Sequence, residues 1–282
     1  MARNQLSRRA FLGFSAVLPW ALRASATPSI PVGLELYSVR EALKKDPFAT
    51  VRAVAEMGYD CVEFYAPYFE WNESDTKRMR QLLDDLGIHC FSTHNDAPFL
   101  VGDNLARARD KNLILGAKYV VQASSPAIST LDGWKTVADN LNAAADLLEK
   151  SGLHAGYHNH QPEFTPIQGK RPMEILAKNT KPSIMLQLDV GTCMEAGSDP
   201  ISWIRSNPGR IRSIHCKDWS PQPGKGYTVL LGEGAADWKG IFAAAESVGG
   251  IEYYLVEQEG SRLGELETAK ACRTAFRERH SG

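Results

Sequence analysis

The chain has 282 residues, 43% of them apolar, 23% charged and 9% aromatic, enough for a buried core and too hydrophobic for a disordered protein. With 32 basic residues against 33 acidic ones the net charge is −1, without the basic excess that a nucleic-acid-binding domain carries. The five cysteines, Cys61, Cys90, Cys193, Cys216 and Cys272, are scattered and form no C-x-x-C pair, which argues against a zinc finger or a disulfide scaffold.

Residues 1–26 hold Arg3, Arg8, Arg9 and Arg23 and no acidic residue. Ser7-Arg8-Arg9-Ala10-Phe11-Leu12-Gly13 resembles a twin-arginine export signal. An apolar stretch from Phe11 to Leu22 follows, then Ala24-Ser25-Ala26, small residues of the kind a signal peptidase accepts. The expectation is cleavage after Ala26 and export through the twin-arginine machinery to the periplasm or beyond. The apolar stretch holds Pro19 and is too short for a membrane span of about twenty residues, so no stable membrane anchor is expected. Without this leader, 28 basic residues face 33 acidic ones and the net charge becomes −5.

Beyond Ala26 short apolar runs alternate with longer amphipathic ones. Strands are predicted at Val32–Tyr37, Cys61–Tyr65, Ile88–His94, Tyr119–Ala123, Leu153–His158, Ile184–Asp189, Ile211–Lys217 and Tyr253–Glu257. Their starts lie 27 to 42 residues apart, and a strand-plus-helix unit needs roughly 30. Asp46-Pro47 opens a helix that Gly58 closes, Leu82, Leu83 and Leu86 lead to Gly87, and a helix over about 104–115 ends at Gly116. Leu141, Ala144, Ala145 and Leu148 precede Ser151-Gly152 in the same way. Each helix stops just before a strand, as parallel crossovers require. Eight such units without a break in composition predict an α/β fold, a single-domain (β/α)8 TIM barrel over residues 27–282. The competing open, doubly wound sheet lacks a G-x-G-x-x-G after its first strand.

Four strand ends carry polar chemistry: Tyr157-His158-Asn159-His160, Gln187-Leu188-Asp189, Ile214-His215-Cys216-Lys217-Asp218 and Val256-Glu257-Gln258-Glu259. Alternation puts His158 with His160, and His215 with Lys217, on one face. Buried charge is costly unless paired or metal-bound, and the C-terminal mouth of a barrel is where such groups converge. Imidazole and carboxylate donors from neighbouring strands suit one divalent metal, Mn²⁺, Mg²⁺, Co²⁺, Fe²⁺ or Zn²⁺. Taken singly the same residues have plainer roles. A strand-end histidine can be a hydrogen-bonded mouth residue, Asp189 before Gly191 a helix N-cap, and Glu257 an arginine partner.

Together, Gly33-Leu34-Glu35-Leu36-Tyr37-Ser38-Val39-Arg40, Gly58-Tyr59-Asp60-Cys61-Val62-Glu63, Tyr157-His158-Asn159-His160 and Leu188-Asp189-Val190-Gly191 resemble the xylose isomerase-like TIM barrels. His215-Cys216-Lys217-Asp218, Leu231-Gly232-Glu233-Gly234 with Asp237-Trp238, and Val256-Glu257 extend the resemblance over nearly the whole mature chain. That group includes sugar isomerases, epimerases, inosose dehydratases and endonuclease relatives. The resemblance implies one divalent metal held by four strand-end residues, here His158, Asp189, His215 and Glu257, with His160 as the alternative on strand five. Many relatives have glutamate where this chain has His158, and in the epimerases that glutamate and the strand-eight one move protons on opposite faces. A one-face isomerase or dehydratase therefore gains ground over a symmetric epimerase.

The implied chemistry starts with a base, Glu257 or His160, that removes the proton next to a sugar carbonyl while a metal stabilises the enediolate. Lys217 can stabilise the oxyanion or protonate a leaving hydroxyl, or simply pair with a neighbouring carboxylate. His94 and Glu63 can bind sugar hydroxyls, with pairing to Arg40 the alternative for Glu63, and Glu35 is a weaker case of the same kind. Trp71, Trp134 and Trp219 follow strands two, four and seven, where a tryptophan can stack on a sugar or pack against its loop. The expected partner is a small-molecule carbohydrate, unphosphorylated given export and the acid inside Gly232-Glu233-Gly234, with no nucleic acid. A metal-dependent isomerase or epimerase is the leading expectation, a lyase or dehydratase the second, and a non-catalytic sugar-binding barrel the third. Such barrels often pair, so a homodimer is possible. Buried thiols are expected, with Cys193, near the mouth, the one to test for reactivity.

Overall fold

The computed structural model describes residues 29–280, so the twin-arginine leader expected over residues 1–26 lies outside the described residues. Eight parallel strands close into a barrel in sequence order: β1 Val32–Glu35, β2 Cys61–Phe64, β3 His89–Asp96, β4 Tyr119–Ser124, β5 His154–His158, β6 Met185–Asp189, β7 Ser213–Cys216 and β8 Tyr253–Val256. The pairing Val32 to Tyr254 through Leu34 to Val256 joins β1 to β8 and leaves no edge strand. The expected single-domain barrel is the observed one.

Local chemistry explains the punctuation. Asp46 caps the helix Pro47–Glu56 by accepting the Phe48 and Ala49 N–H groups at 3.0 and 2.9 Å, and Pro47 occupies the first turn where no intrahelical donor is needed. The helices Glu73–Leu86 and Gly102–Leu115 each end on a left-handed residue, Gly87 (φ 65°) and Gly116 (φ 77°), a backbone that an L side chain resists.

Alternation then sorts the strand residues. Cys61, Tyr119, Val121, Met185, Tyr253 and Leu255 point inward and plug the lower barrel as one apolar cluster, and a Cβ on Gly33 would collide with Cys61 there. The outward residues, such as Val62, Val120, Leu186 and Ile214, join the larger core beneath the helices. Above the plug the inward positions turn polar, and that change of character places the site.

Strand ends differ from expectation by one or two residues. β1 stops at Glu35 rather than Tyr37, because Leu36–Val39 tightens into a 3₁₀ turn whose Tyr37 N–H bonds to the Glu35 side chain. β7 covers only Ser213–Cys216, so Lys217 follows the strand. β3 runs on to Asp96, past His94. All five cysteines are buried free thiols. No helix among the described residues is long and apolar enough to cross a membrane.

Candidate active site at the barrel mouth

The inward polar residues stack in two tiers. The lower tier is built on Glu63 of β2, which is fully buried. Its carboxylate accepts from Ser92 Oγ and, at 3.0 Å, from Gln187 Nε2. The same carboxylate lies 3.0 Å from His94 Nε2 and 2.8 Å from His215 Nε2. Gln187 Oε1 completes the His94 contact at 2.7 Å. Glu63 therefore braces two imidazoles and makes no ion pair with Arg40, whose guanidinium sits over the Tyr37 ring and 4.0 Å from Glu265.

Three imidazoles form the upper tier. The rings of His94 and His215 lie nearly parallel, 4.9 Å apart, and His158 is tilted against both at 4.5 and 4.3 Å. His215 Nδ1 lies 2.8 Å from Glu257 Oε2. The Lys217 ammonium is buried between carboxylates, 3.5 Å from Asp189 and 3.9 Å from Glu257, and bonds Glu259.

These contacts set the charge states. Burial works against an ionised Glu63, but the His94 and His215 rings outweigh it and hold the carboxyl well below the ordinary range. Burial also opposes an imidazolium at His215, yet Glu63 on one side and Glu257 on the other push it up to about 9. Glu257 stays ionised despite burial because Lys217 and His215 face it. For His158, burial and then the neighbouring His215, His94 and His160 rings act in one direction, so it is held neutral. Asp189 is raised by burial, with Lys217 opposing.

His158, Asp189, His215 and Glu257 each offer one donor atom, and these four atoms lie within 4.8 Å of one another. Two atoms in this group are buried without a hydrogen-bond partner: Asp189 Oδ2 and His158 Nδ1. A buried carboxylate oxygen left without a hydrogen bond is costly unless something else satisfies it. Two imidazoles and two carboxylates at this spacing fit a divalent cation of the first transition row. His160, the alternative on strand five, is an exposed residue at the rim that caps the helix Gln161–Phe164 in a capping box with Glu163.

A cavity of about 300 Å³ opens above this tier, lined by Glu35, Tyr37, Tyr65, Ala66, His94, Asn95, Asp96, Ala123, His158, His160, Glu257 and Glu259. Trp219 lies outside that lining. Its N–H bonds the buried Asp218 carboxylate, which also accepts from the N–H groups of Gly232, Gly234 and Ala236 and from Trp238 Nε1. Those amides are thus occupied by an acid, and Glu233 pairs with Arg262 at 2.8 Å, so this loop presents no cradle for a phosphate. Trp134 is buried beside Tyr157 and Trp71 packs edge-on against Phe64, both away from the cavity. Cys193 is buried, and burial pushes its thiol up, the opposite of a reactive cysteine.

Tyr37, Tyr65, Asn95, Asp96 and Glu259 reach the cavity without having been singled out from sequence. Tyr37 and Glu259 were within reach of the period-two pattern, since each lies two residues beyond an inward carboxylate. Tyr65 sits edge-on to Tyr37 at 5.3 Å, and nothing in the sequence pairs those loops.

Comparisons with known proteins agree with this architecture. A family profile described as "Xylose isomerase-like TIM barrel" matches residues 51–278. An inosose dehydratase of Geobacillus thermodenitrificans is 25% identical over 186 residues, 60% of this chain and 62% of that protein. The chain spans about three fifths of the length of the curated relatives it matches. Among solved structures, a sugar phosphate isomerase/epimerase from Parabacteroides distasonis superposes with a TM-score of 0.76 at 26% identity, covering 90% of this chain and 95% of that one. The IOLI protein with a binding zinc atom shares the fold, with a TM-score of 0.69 at 18% identity over 89% of this chain and 98% of that one.

Proposed function

The chain belongs to the xylose isomerase-like TIM barrel family, and from that premise we propose that it removes the proton next to the carbonyl of an unphosphorylated sugar, keto-sugar or inosose from one face. The observation that carries the reading is the donor set His158, Asp189, His215 and Glu257 with its hydrogen-bond-free Asp189 Oδ2, beneath a cavity of monosaccharide size. A divalent ion held by these four residues would supply Lewis acidity to a carbonyl oxygen. Glu257, held as a carboxylate, and His160, at the rim, are the candidate bases at the mouth. His158 stands where a two-sided epimerase needs a second carboxylate, and a neutral imidazole there suits a ligand better than an opposing base.

Among the described residues that line the cavity there is no lysine or arginine, while four carboxylates line it, which disfavours a phosphorylated substrate. The expected twin-arginine leader points the same way, toward export and a sugar met outside the cytoplasm.

Proton abstraction next to the carbonyl leads to isomerisation or to elimination. Isomerisation, which the sequence ranks first, returns the proton through the same base. Elimination is the second reading, favoured by the curated relatives being inosose dehydratases. Incubating the protein with keto-sugars, keto-glycosides and inososes, with and without chelation, decides between them. An isomerised sugar is expected for the first and an absorbing enone or released alcohol for the second. Turnover that survives complete removal of metal would overturn the metal assignment. A third reading, a non-catalytic sugar-binding barrel, is supported by sugar binding with no turnover at all.

A further inference from the structure

Among the described residues, eight buried side-chain polar atoms have no hydrogen-bond partner, and six of them gather at two places. Glu35 Oε2, His158 Nδ1 and Asp189 Oδ2 belong to the mouth. Arg171 Nε, Ser198 Oγ and Trp203 Nε1 come from residues that line a second cavity, of about 390 Å³, whose lining shares no residue with that of the mouth. Phe164 after β5 and Ser198 after β6 place it on the same end of the barrel, and no strand residue lines it.

The turn Gly197-Ser198-Asp199 builds one side. The helix Val190–Glu195 ends with the Gly197 N–H on the Met194 carbonyl at 2.9 Å and the Ser198 N–H on the Cys193 carbonyl at 3.0 Å, and Gly197 takes the left-handed backbone (φ 74°) of that ending. Asp199 then caps the helix Pro200–Ser206, which carries Trp203, 9% exposed and edge-on to Phe164 at 5.3 Å. Arg171 stands at the start of the helix Pro172–Asn179, and its Nη1 reaches Glu174 at 3.2 Å while its Nε–H bonds nothing. The guanidinium and indole N–H groups are donors only and the Ser198 hydroxyl can donate, so the inner wall asks for acceptors. The one cation of the lining is already paired with Glu174, and the exposed Asp199 adds a further negative charge, which disfavours an anion. A hydroxyl-rich ring offers oxygens to the three donors, protons to Glu174 and Asp199, and a C–H face to the Phe164–Trp203 pair.

We infer that this flank cavity is a second binding site for a neutral saccharide, separate from the mouth, in which Arg171, Ser198 and Trp203 donate to sugar oxygens. The site takes no part in the chemistry of the mouth and does not depend on what that chemistry is. A buried donor without a partner costs free energy until an acceptor arrives. The saccharide-free protein therefore carries that cost three times at one cavity, and the bound protein recovers it.

The test follows the Trp203 indole N–H by nitrogen-15 NMR, its signal assigned by its loss in Trp203→Phe, while methyl α-glucoside, methyl β-galactoside or sodium acetate is added to the full chain. A saturating shift of that signal with at least one of the two glycosides, and none with acetate, is expected. Ser198→Ala removes one donor, and Arg171→Lys removes Nε–H while keeping the charge. In each variant the same titration should need on the order of 3- to 10-fold more glycoside, the worth of one hydrogen bond. A melting curve gives an independent reading. Without sugar, Ser198→Ala should unfold no lower than the unaltered protein, since a hydroxyl lacking a partner is removed, and with sugar it should gain less. No shift at Trp203 with either glycoside, a shift with acetate alone, or equal titrations in all three proteins overturns the inference. Glycoside shifts confined to the other tryptophans overturn it as well, and so does loss of the fold in both variants, which would make these side chains structural.

Discussion

Asp189 and Thr192 share one strand-to-helix turn, and the Thr192 N–H donates to Asp189 Oδ1 at 2.8 Å while Asp189 Oδ2 is left without any hydrogen bond. A single carboxylate thus does two jobs: one oxygen caps the helix Val190–Glu195, and the other belongs to the donor set of the mouth. Of the two readings that the sequence sets against each other, the N-cap is filled by one oxygen, and the other oxygen stands among the donor atoms that could hold a metal.

Asp189→Asn keeps an oxygen for the cap and removes the charged donor, which is also a buried partner of Lys217 at 3.5 Å. Its unfolding temperature is expected to fall while the fold is kept, and metal affinity to fall by more than about tenfold. Asp189→Ala should lose the metal and about 1 kcal/mol of stability besides. Elemental analysis beside a melting curve reads both, and a fully loaded Asp189→Asn protein would remove Asp189 from the ligand set.

His215 holds its imidazolium up to about 9 in the metal-free protein, between Glu63 and Glu257. Its value is raised above the ordinary 6.5, so its stabilisation of that form is complete below 6.5 and is lost as pH climbs through about 9. A metal ligand must give up this proton. Binding of Mn²⁺ or Zn²⁺ at neutral pH is therefore expected to release about one proton per ion, and affinity should grow with pH up to about 9. Titration calorimetry in two buffers of different ionisation enthalpy measures the proton count, and a count of zero would take His215 out of the site.

Asp218 ties the irregular segment after β7 to the barrel through four backbone N–H groups and the Trp238 indole. Asp218→Ala would leave several buried donors unpaired and is expected to cost about 3 kcal/mol in urea unfolding, with the metal site still able to load. A neutral result would show that water replaces the carboxylate.

Cys193 is expected to resist iodoacetamide in the folded protein at mildly alkaline pH and to react only after denaturant is added. Rapid labelling of the native state would mean that the helix carrying Cys193 opens locally.

The barrel could be read from spacing, because a strand-plus-helix unit has a nearly fixed length and each unit ends on its own glycine or cap. The mouth could be read from polar residues ending apolar strands, and His158, Asp189, His215 and Glu257, the ligand set that the family resemblance implies, all stand at such ends. Partnerships across the barrel could not. Glu63 reaches His94 beside a β2–β3 register shift between Val62 and Glu63, and it reaches His215 through the lumen from β7, three strands round the barrel. Neither fact has a local sequence signal. The place of Trp219 has a related origin: the Asp218 carboxylate gathers the segment through long-range bonds to residues 232–238, and Trp219 is not among the residues that line the cavity.

Solvent-deuterium incorporation into an unphosphorylated keto-sugar or inosose, followed by NMR, tests the central claim most directly. Proton abstraction from one face at a metal-loaded mouth predicts deuterium at the single carbon next to the carbonyl, with one configuration, abolished by chelation and restored by a divalent ion. Incorporation that survives chelation, or turnover of the sugar with no hydrogen leaving that carbon, would contradict it.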